Sequence, residues 1–209
     1  MTEGKRVYRS SLRAAQASST RAAVLDAAGR CFLERGFAGT TMKDIATAAG
    51  VSVPTVFAQG GKAALLLACV DRALVGDDEA APLLARELFV RLAEGPDKNA
   101  KLAALRAIAA DRGPAVMPMM RAFEAAAGAD PELRGSWAEY EARRLTDVRA
   151  LAAMFGPWLR PGLDVDEAGE IWWALFGLET TDRLLRDRGW TPERYGEWLA
   201  DAVDRLLLA

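Results

Sequence analysis

Histidine is absent from this chain of 209 residues. Its absence excludes Ser-His-Asp and Cys-His catalysis, histidine metal sites and histidine pH switches. Cysteine is scarce, with only Cys31 and Cys69, too few for a disulfide framework in a chain this long. Both lie in apolar helical patterns and read as buried thiols. Long hydrophobic runs are missing as well. The longest, Ile171 to Leu178, is bounded by Glu170 and Glu179 and is too short to cross a bilayer. The N-terminus is polar, without the apolar core of a signal peptide, so a cytoplasmic protein without membrane contact is expected. No acid or cysteine cluster has metal-ligand spacing, and Gly60-Gly61-Lys62 lacks the strand and glycine spacing of a P-loop. A small helical enzyme is therefore the weak rival reading; no catalytic residue, metal or cofactor is expected.

What is present is alanine, leucine and charge. Hydrophobic residues make up 51% of the chain, and helical spacing recurs between Gly- and Pro-containing breaks, without strand alternation or internal repeats. The chain reads as all-α. Net charge is only −2, but unevenly placed. Residues 1–60 hold eight Lys/Arg against Glu3, Asp26, Glu34 and Asp44, a net +4, which leaves −6 for the rest. A basic end on an acidic body suits a nucleic-acid-binding end joined to something else.

The most informative stretch is Gly39 to Lys62. Thr41 is a good N-cap, with Asp44 three residues on as a variant capping box. Ile45, Ala46 and Ala49 share one face of a helix from Met42 to Ala49, and Gly50 ends it where a left-handed residue is needed. Ser52 caps a second helix with Pro54 in its first turn. Two short helices joined by a tight turn, with small Ala46 where they cross, make a helix-turn-helix pattern. A further helix at 20–35, striped with Val24, Leu25, Ala28, Cys31 and Phe32, precedes it. Residues 1–19 read as a flexible basic arm. The expected organisation is this arm, a three-helix helix-turn-helix domain at 20–60, and a larger helical domain at 61–209. In the latter, helices are expected at 62–75, 79–93, 99–111, 116–127, 132–155, 166–188 and 191–207, with Arg112-Gly113-Pro114 as a turn.

The order FLERGFAGTT, MKDIATAAGVS, TVF and then a lysine opening the next helix closely resembles the DNA-binding domain of tetracycline-repressor-type (TetR family) transcriptional regulators. The matching part is Arg21 to Leu66. The resemblance departs after Phe57: Ala58-Gln59-Gly60-Gly61 is one residue short and lacks a second aromatic pair, so a tighter link to the next helix is expected. The resemblance implies a dimeric DNA-binding regulator, usually paired through two late helices, here 132–155 and 166–188, with Trp172 and Trp173 as candidates for the interface. It also implies an effector cavity in the second domain.

Phosphate contact is expected where hydroxyls, free N–H groups and cations meet helix N-termini, at Thr40, Thr41, Lys43 and Lys62, with Arg21 as a further contact. Base reading is expected from Ser52, Val53, Pro54, Thr55 and Phe57, with Gln59 at the frayed end. None is an arginine, so methyl contacts and DNA shape carry much of the readout. For the cavity implied by the resemblance, Met117, Met120, Phe123, Trp137, Tyr140 and Trp172 are candidate walls, and Arg106, Arg144 and Glu179 candidate anchors. The expected function is that of a dimeric repressor released from a palindromic double-stranded operator by a small apolar or aromatic effector. The alternative is the same DNA-binding dimer with a second domain that binds a protein partner or no effector.

Overall fold

A computed structural model describes residues 3–76 and 86–209. It divides into two compact units, Met1–Val70 and Asp71–Ala209. The division falls inside one helix, ten residues beyond the boundary expected at residue 60.

The first unit contains α1 (Glu3–Arg35), α2 (Met42–Ala49), α3 (Val53–Phe57) and the first turns of α4 (Lys62–Val75). α1 starts at Glu3, so residues 3–19, expected as a flexible arm, continue the helix. The physical reason is local: no glycine or proline interrupts residues 5–28, and Ala, Arg, Leu and Gln are strong helix formers. Val24, Leu25, Ala28, Cys31 and Phe32 are all buried, as their spacing predicts. Gly36, at φ 70°, ends α1. Ile45, Ala46 and Val56 close the core from α2 and α3, and Leu65, Leu66, Cys69 and Val70 close it from α4. The Cys69 thiol donates to the Leu25 carbonyl at 3.4 Å, and both cysteines are buried and unbridged.

The second unit contains the last turn of α4, then α5 (Glu87–Glu94), α6 (Lys98–Ala129), α7 (Pro131–Ala153), α8 (Val165–Leu175), α9 (Leu178–Asp182) and α10 (Pro192–Leu207). The helix expected at 79–93 falls partly outside the described residues; α5 is its described end. Lys101, 7% exposed, donates to the Leu92 and Ala93 carbonyls at 2.9 and 2.7 Å and so caps the C-terminal end of α5.

Two expectations are corrected here. The helices at 99–111 and 116–127 are one, α6, which runs through Pro114 and Pro118. Each proline removes one backbone N–H from the ladder, at a cost of about 3 kcal/mol in a helix interior. Burial of Leu102, Leu105, Ile108 and Ala109 before the prolines and of Met117, Met120 and Phe123 after them holds the helix together. Conversely, the single helix expected at 166–188 is divided. α8 stops at Leu175, Gly177 takes extended angles (φ −60°, ψ 145°), α9 follows, and a π turn spans Arg183–Asp187. The Arg144 guanidinium supplies the missing donors, reaching the Trp173 and Phe176 carbonyls at 3.4 and 3.3 Å.

Close crossings hold the second unit together. A Cβ on Gly196 of α10 would lie 2.5 Å from the Arg106 carbonyl oxygen of α6, and one on Gly169 of α8 would lie 2.9 Å from the Arg149 Cα of α7. Phe155, Trp172, Leu105, Val203 and Leu207 fill the core between these helices. Among the described residues there is no strand; one isolated bridge pairs Leu159 with Leu208.

Candidate nucleic-acid interface and effector cavity

The turn between α1 and α2 is built from side-chain bonds. The Thr41 hydroxyl accepts from the Asp44 N–H, while the Asp44 carboxylate accepts from the Thr41 N–H (2.9 Å) and hydroxyl (2.6 Å). Arg35 adds an ion pair to Asp44 at 3.1 Å. The Thr41 hydroxyl bond, followed by its backbone N–H, holds the Asp44 carboxyl below the usual carboxylate range. Gly50, at φ 67°, makes the turn between α2 and α3. At the start of α3 the Ser52 hydroxyl accepts from the Thr55 N–H (3.2 Å) and pairs with the Thr55 hydroxyl (2.7 Å).

The predicted DNA contacts separate into two groups. Thr41, Lys43, Ser52 and Pro54 are exposed, Val53 and Thr55 are half-buried, and Phe57 is 58% exposed. These residues form the solvent side of the helix-turn-helix. Thr40 is buried, and Lys62 is half-buried with its ammonium bonded within the unit. Thr40 is 1% exposed, and its hydroxyl is shared between the Gly36 (2.8 Å) and Cys31 (3.0 Å) carbonyls. Lys62 Nζ donates to the Phe37 and Thr40 carbonyls at 2.9 and 3.1 Å and lies 4.1 Å over the Phe37 ring. Both lock the turn after α1. Arg21 donates to the Gln59 carbonyl at 3.2 Å, tying α1 to the end of α3.

The second unit encloses a cavity of about 570 Å³, a size typical of small-molecule sites. Its apolar walls come from α6 (Leu105, Ile108, Met117, Met120), α7 (Val148, Leu151) and α8 (Trp172), with Phe176 at the break after α8. Polar groups enter from α4 (Asp71), α7 (Tyr140, Arg143, Arg144, Asp147), α9 (Thr181) and α10 (Tyr195). Arg143 bonds Asp71 at 3.0 Å. Arg144 is held by Glu141 through Nε and Nη2. Thr181 and Tyr195 share one hydroxyl–hydroxyl bond at 2.9 Å. Burial pushes the Asp147 carboxyl up against the opposing pull of Arg143, and pushes the Tyr195 phenol to about 12 against the opposing Thr181 hydrogen bond. The Tyr140 phenol is raised further, again chiefly by burial. Among the described residues no three His, Cys, Asp or Glu side chains gather as a metal site, and no helix is long and apolar enough to cross a membrane.

Residues 24–69 match the N-terminal domain of the bacterial regulatory proteins of the tetR family. The helix-turn-helix end of the chain therefore carries the N-terminal domain of the tetR family. The regulator's fold recurs in solved structures of similar length. NalD of Pseudomonas aeruginosa, the secondary repressor of the MexAB-OprM multidrug efflux pump, is 25% identical with a TM-score of 0.64, over 92% of this chain and 98% of that one. A complex of SmeT with triclosan is 19% identical with a TM-score of 0.68, over 91% and 92% of the two chains; SmeT is the repressor of the Stenotrophomonas maltophilia efflux pump SmeDEF. A Saccharomonospora viridis protein in complex with choline is 19% identical with a TM-score of 0.66, over 92% and 99%. The likenesses at 19% identity concern fold alone. No curated protein matches the chain. With its helix-turn-helix and all-α architecture, the regulator is a DNA-binding transcription factor.

Of the residues predicted for the regulator's cavity, Met117, Met120, Tyr140, Arg144 and Trp172 line it. Four do not. Phe123 is fully buried behind the wall, packed edge-on against Trp137 and Tyr140, and Trp137 stacks with Tyr140 in the same layer. Arg106 and Glu179 are exposed, with Glu179 3.5 Å from Arg183. Arg143, Asp147, Thr181 and Tyr195 escaped the sequence reading. A signal was available for part of this: Tyr140, Arg143, Arg144, Asp147, Val148 and Leu151 form one helical stripe, obscured because half of it is charged.

Proposed function

We propose that this regulator is a repressor that binds a palindromic operator as a homodimer and leaves it when a small apolar or aromatic molecule enters the cavity. The observation that carries the reading is α4. This single helix has Lys62 bonded to the turn before α2 at its start and contributes Asp71, Leu74 and Val75 to the cavity wall at its end. A ligand that displaces the last turn of α4 acts on the same helix whose first residue anchors the helix-turn-helix. It then favours a dimer whose reading helices are wrongly spaced for two successive major grooves, which is a population shift.

Lys43, Thr41 and the exposed start of α2 supply phosphate contacts, while Ser52, Val53, Pro54, Thr55 and Phe57 supply the base-facing surface. The dimer face comes from α7 and the α8–α9 segment, where Trp173 keeps 37% of its surface exposed. The complexes of SmeT with triclosan and of the S. viridis protein with choline support small organic molecules as the effector class. The test has three steps. Selection from random duplexes should return an inverted repeat, anisotropy should show dimer binding to it, and a small-molecule screen should find compounds that release it. An asymmetric selected site would remove the dimeric operator; a cavity occupied without DNA release would remove the effector mechanism.

A further inference from the structure

The cavity wall contains more buried hydrogen-bond donors than acceptors to receive them. Trp172 is fully buried, stacked on Phe176 and tilted against Phe155, and its ring forms part of the wall. Its indole N–H meets no acceptor among the described residues. An indole nitrogen can only donate, and a buried donor without a partner destabilises the fold unless something binds it.

A second donor follows from counting protons. Thr181 and Tyr195, each 1% exposed, line the cavity and bond one another at 2.9 Å. That bond uses one of the pair's two hydroxyl protons. The second has no protein acceptor among the described residues. The Tyr195 phenol, pushed up to about 12, keeps its proton at neutral pH.

The cavity's carboxylates lie beside Arg143, whereas the Thr181–Tyr195 pair belongs to other helices. Asp71 is bonded to Arg143 at 3.0 Å. Asp147 lies beside the same arginine, whose charge opposes the upward push of burial on its carboxyl. Around these groups the walls are aromatic and thioether: Trp172, Phe176, Tyr140, Met117 and Met120.

We infer that the effector is a flat aromatic molecule bearing a hydrogen-bond-accepting oxygen, which takes the Trp172 N–H and the spare hydroxyl proton of the Thr181–Tyr195 pair. This rests on the effector reading above and names its ligand class. The acceptor sets specificity: a site with buried donors rejects an analogue that lacks the oxygen, because binding it leaves those donors unpaired.

The test uses three probes with one ring system in equilibrium dialysis against the full-length protein: 2-acetylnaphthalene, 2-methylnaphthalene and 2-naphthylmethylammonium. The ketone should bind about tenfold or more tightly than the hydrocarbon. Trp172→Phe, which keeps an aromatic ring and removes the N–H, should cut that ratio several-fold. Thr181→Val combined with Tyr195→Phe should cut it independently, so a misfolded single variant does not leave the question open. Equal binding of ketone and hydrocarbon, tightest binding of the ammonium, a ratio unchanged in both variants, or no binding by any probe would each overturn the inference. Release of operator DNA is read separately. Release by a probe without oxygen preference leaves the effector reading standing and removes the inference. Oxygen-selective binding without release does the reverse.

Discussion

Lys43 is exposed at the start of α2, whereas Lys62 is occupied by two carbonyls and a ring. Two lysines at helix starts therefore have different roles. Lys43→Ala should weaken DNA binding about uniformly across sequences and reduce the slope of log affinity against log salt by about 1. Thr55→Arg, on the base-facing helix, should instead change which duplexes are selected. Unchanged binding in both variants would remove α3 as the reader. Lys62→Ala should act mainly on thermal stability, because it removes the Lys62 donor from the Thr40 carbonyl and one of two donors from the Phe37 carbonyl. The capping box has a pH signature. The Asp44 carboxyl titrates below its ordinary range in the folded protein. A depressed folded value contributes stability above the unfolded value of about 4, and that contribution is lost as pH falls through the folded value. The first unit's stability should therefore decline in acid, and Asp44→Asn should flatten that decline in urea titrations below about pH 4.

At the scale of elements, glycine marks where helices nearly touch. Gly196 and Gly169 sit in helix interiors where alanine has the better propensity. Propensity alone therefore predicts stabilisation by Gly196→Ala. The structure predicts the opposite, since the added Cβ would meet the Arg106 carbonyl oxygen at 2.5 Å and backbone cannot turn aside as a flexible side chain does. Overpacking of this kind costs about 1–3 kcal/mol; chemical denaturation of the variant should show it, and a gain in stability would contradict the α6–α10 crossing. Elements are also where the sequence reading went wrong twice. Arg112-Gly113-Pro114 has the composition of a turn, yet α6 continues through it, because apolar residues on both sides are buried and the Tyr195 ring packs where Gly113 lacks a side chain. Phe176-Gly177 carries no proline, yet the helix breaks there, because Arg144 from α7 satisfies the carbonyls that the break exposes. Both outcomes depend on partners more than twenty residues away.

At the scale of the whole molecule, charge and assembly matter most. The excess of basic residues lies before residue 60 and the acidic excess after it, so the DNA-binding end is drawn to phosphate while the remainder is repelled. Trp173 is a large exposed aromatic on α8, held by an indole hydrogen bond to Glu141 at 3.1 Å and by the Arg144 guanidinium 4.9 Å from its ring. If it lies at the dimer face, Trp173→Arg should shift the light-scattering mass at micromolar concentration from two chains toward one, and operator affinity should fall with it, since each half-site is then bound alone. A wild-type mass of one chain would remove the dimer.

The sequence by itself determined the helix-turn-helix. Thr41, Asp44, Gly50, Ser52 and Pro54 act through bonds within four residues or through their own backbone angles, so their effect is readable from spacing. It also determined the all-α class and the buried stripe of α1, which follow from helical periodicity. Only the tertiary structure decided which hydroxyls and cations are free. It places the Cys31 and Gly36 carbonyls beside the Thr40 hydroxyl and the Phe37 carbonyl beside the Lys62 ammonium. It likewise decided which side chains line the cavity, bringing Thr181 and Tyr195 together and leaving the Trp172 N–H without a protein partner. The reason is the range of the interactions. Caps and turns are settled within one helical turn of the chain, whereas a cavity is the space left when distant helices pack, and its chemistry belongs to the side chains that packing leaves unpaired.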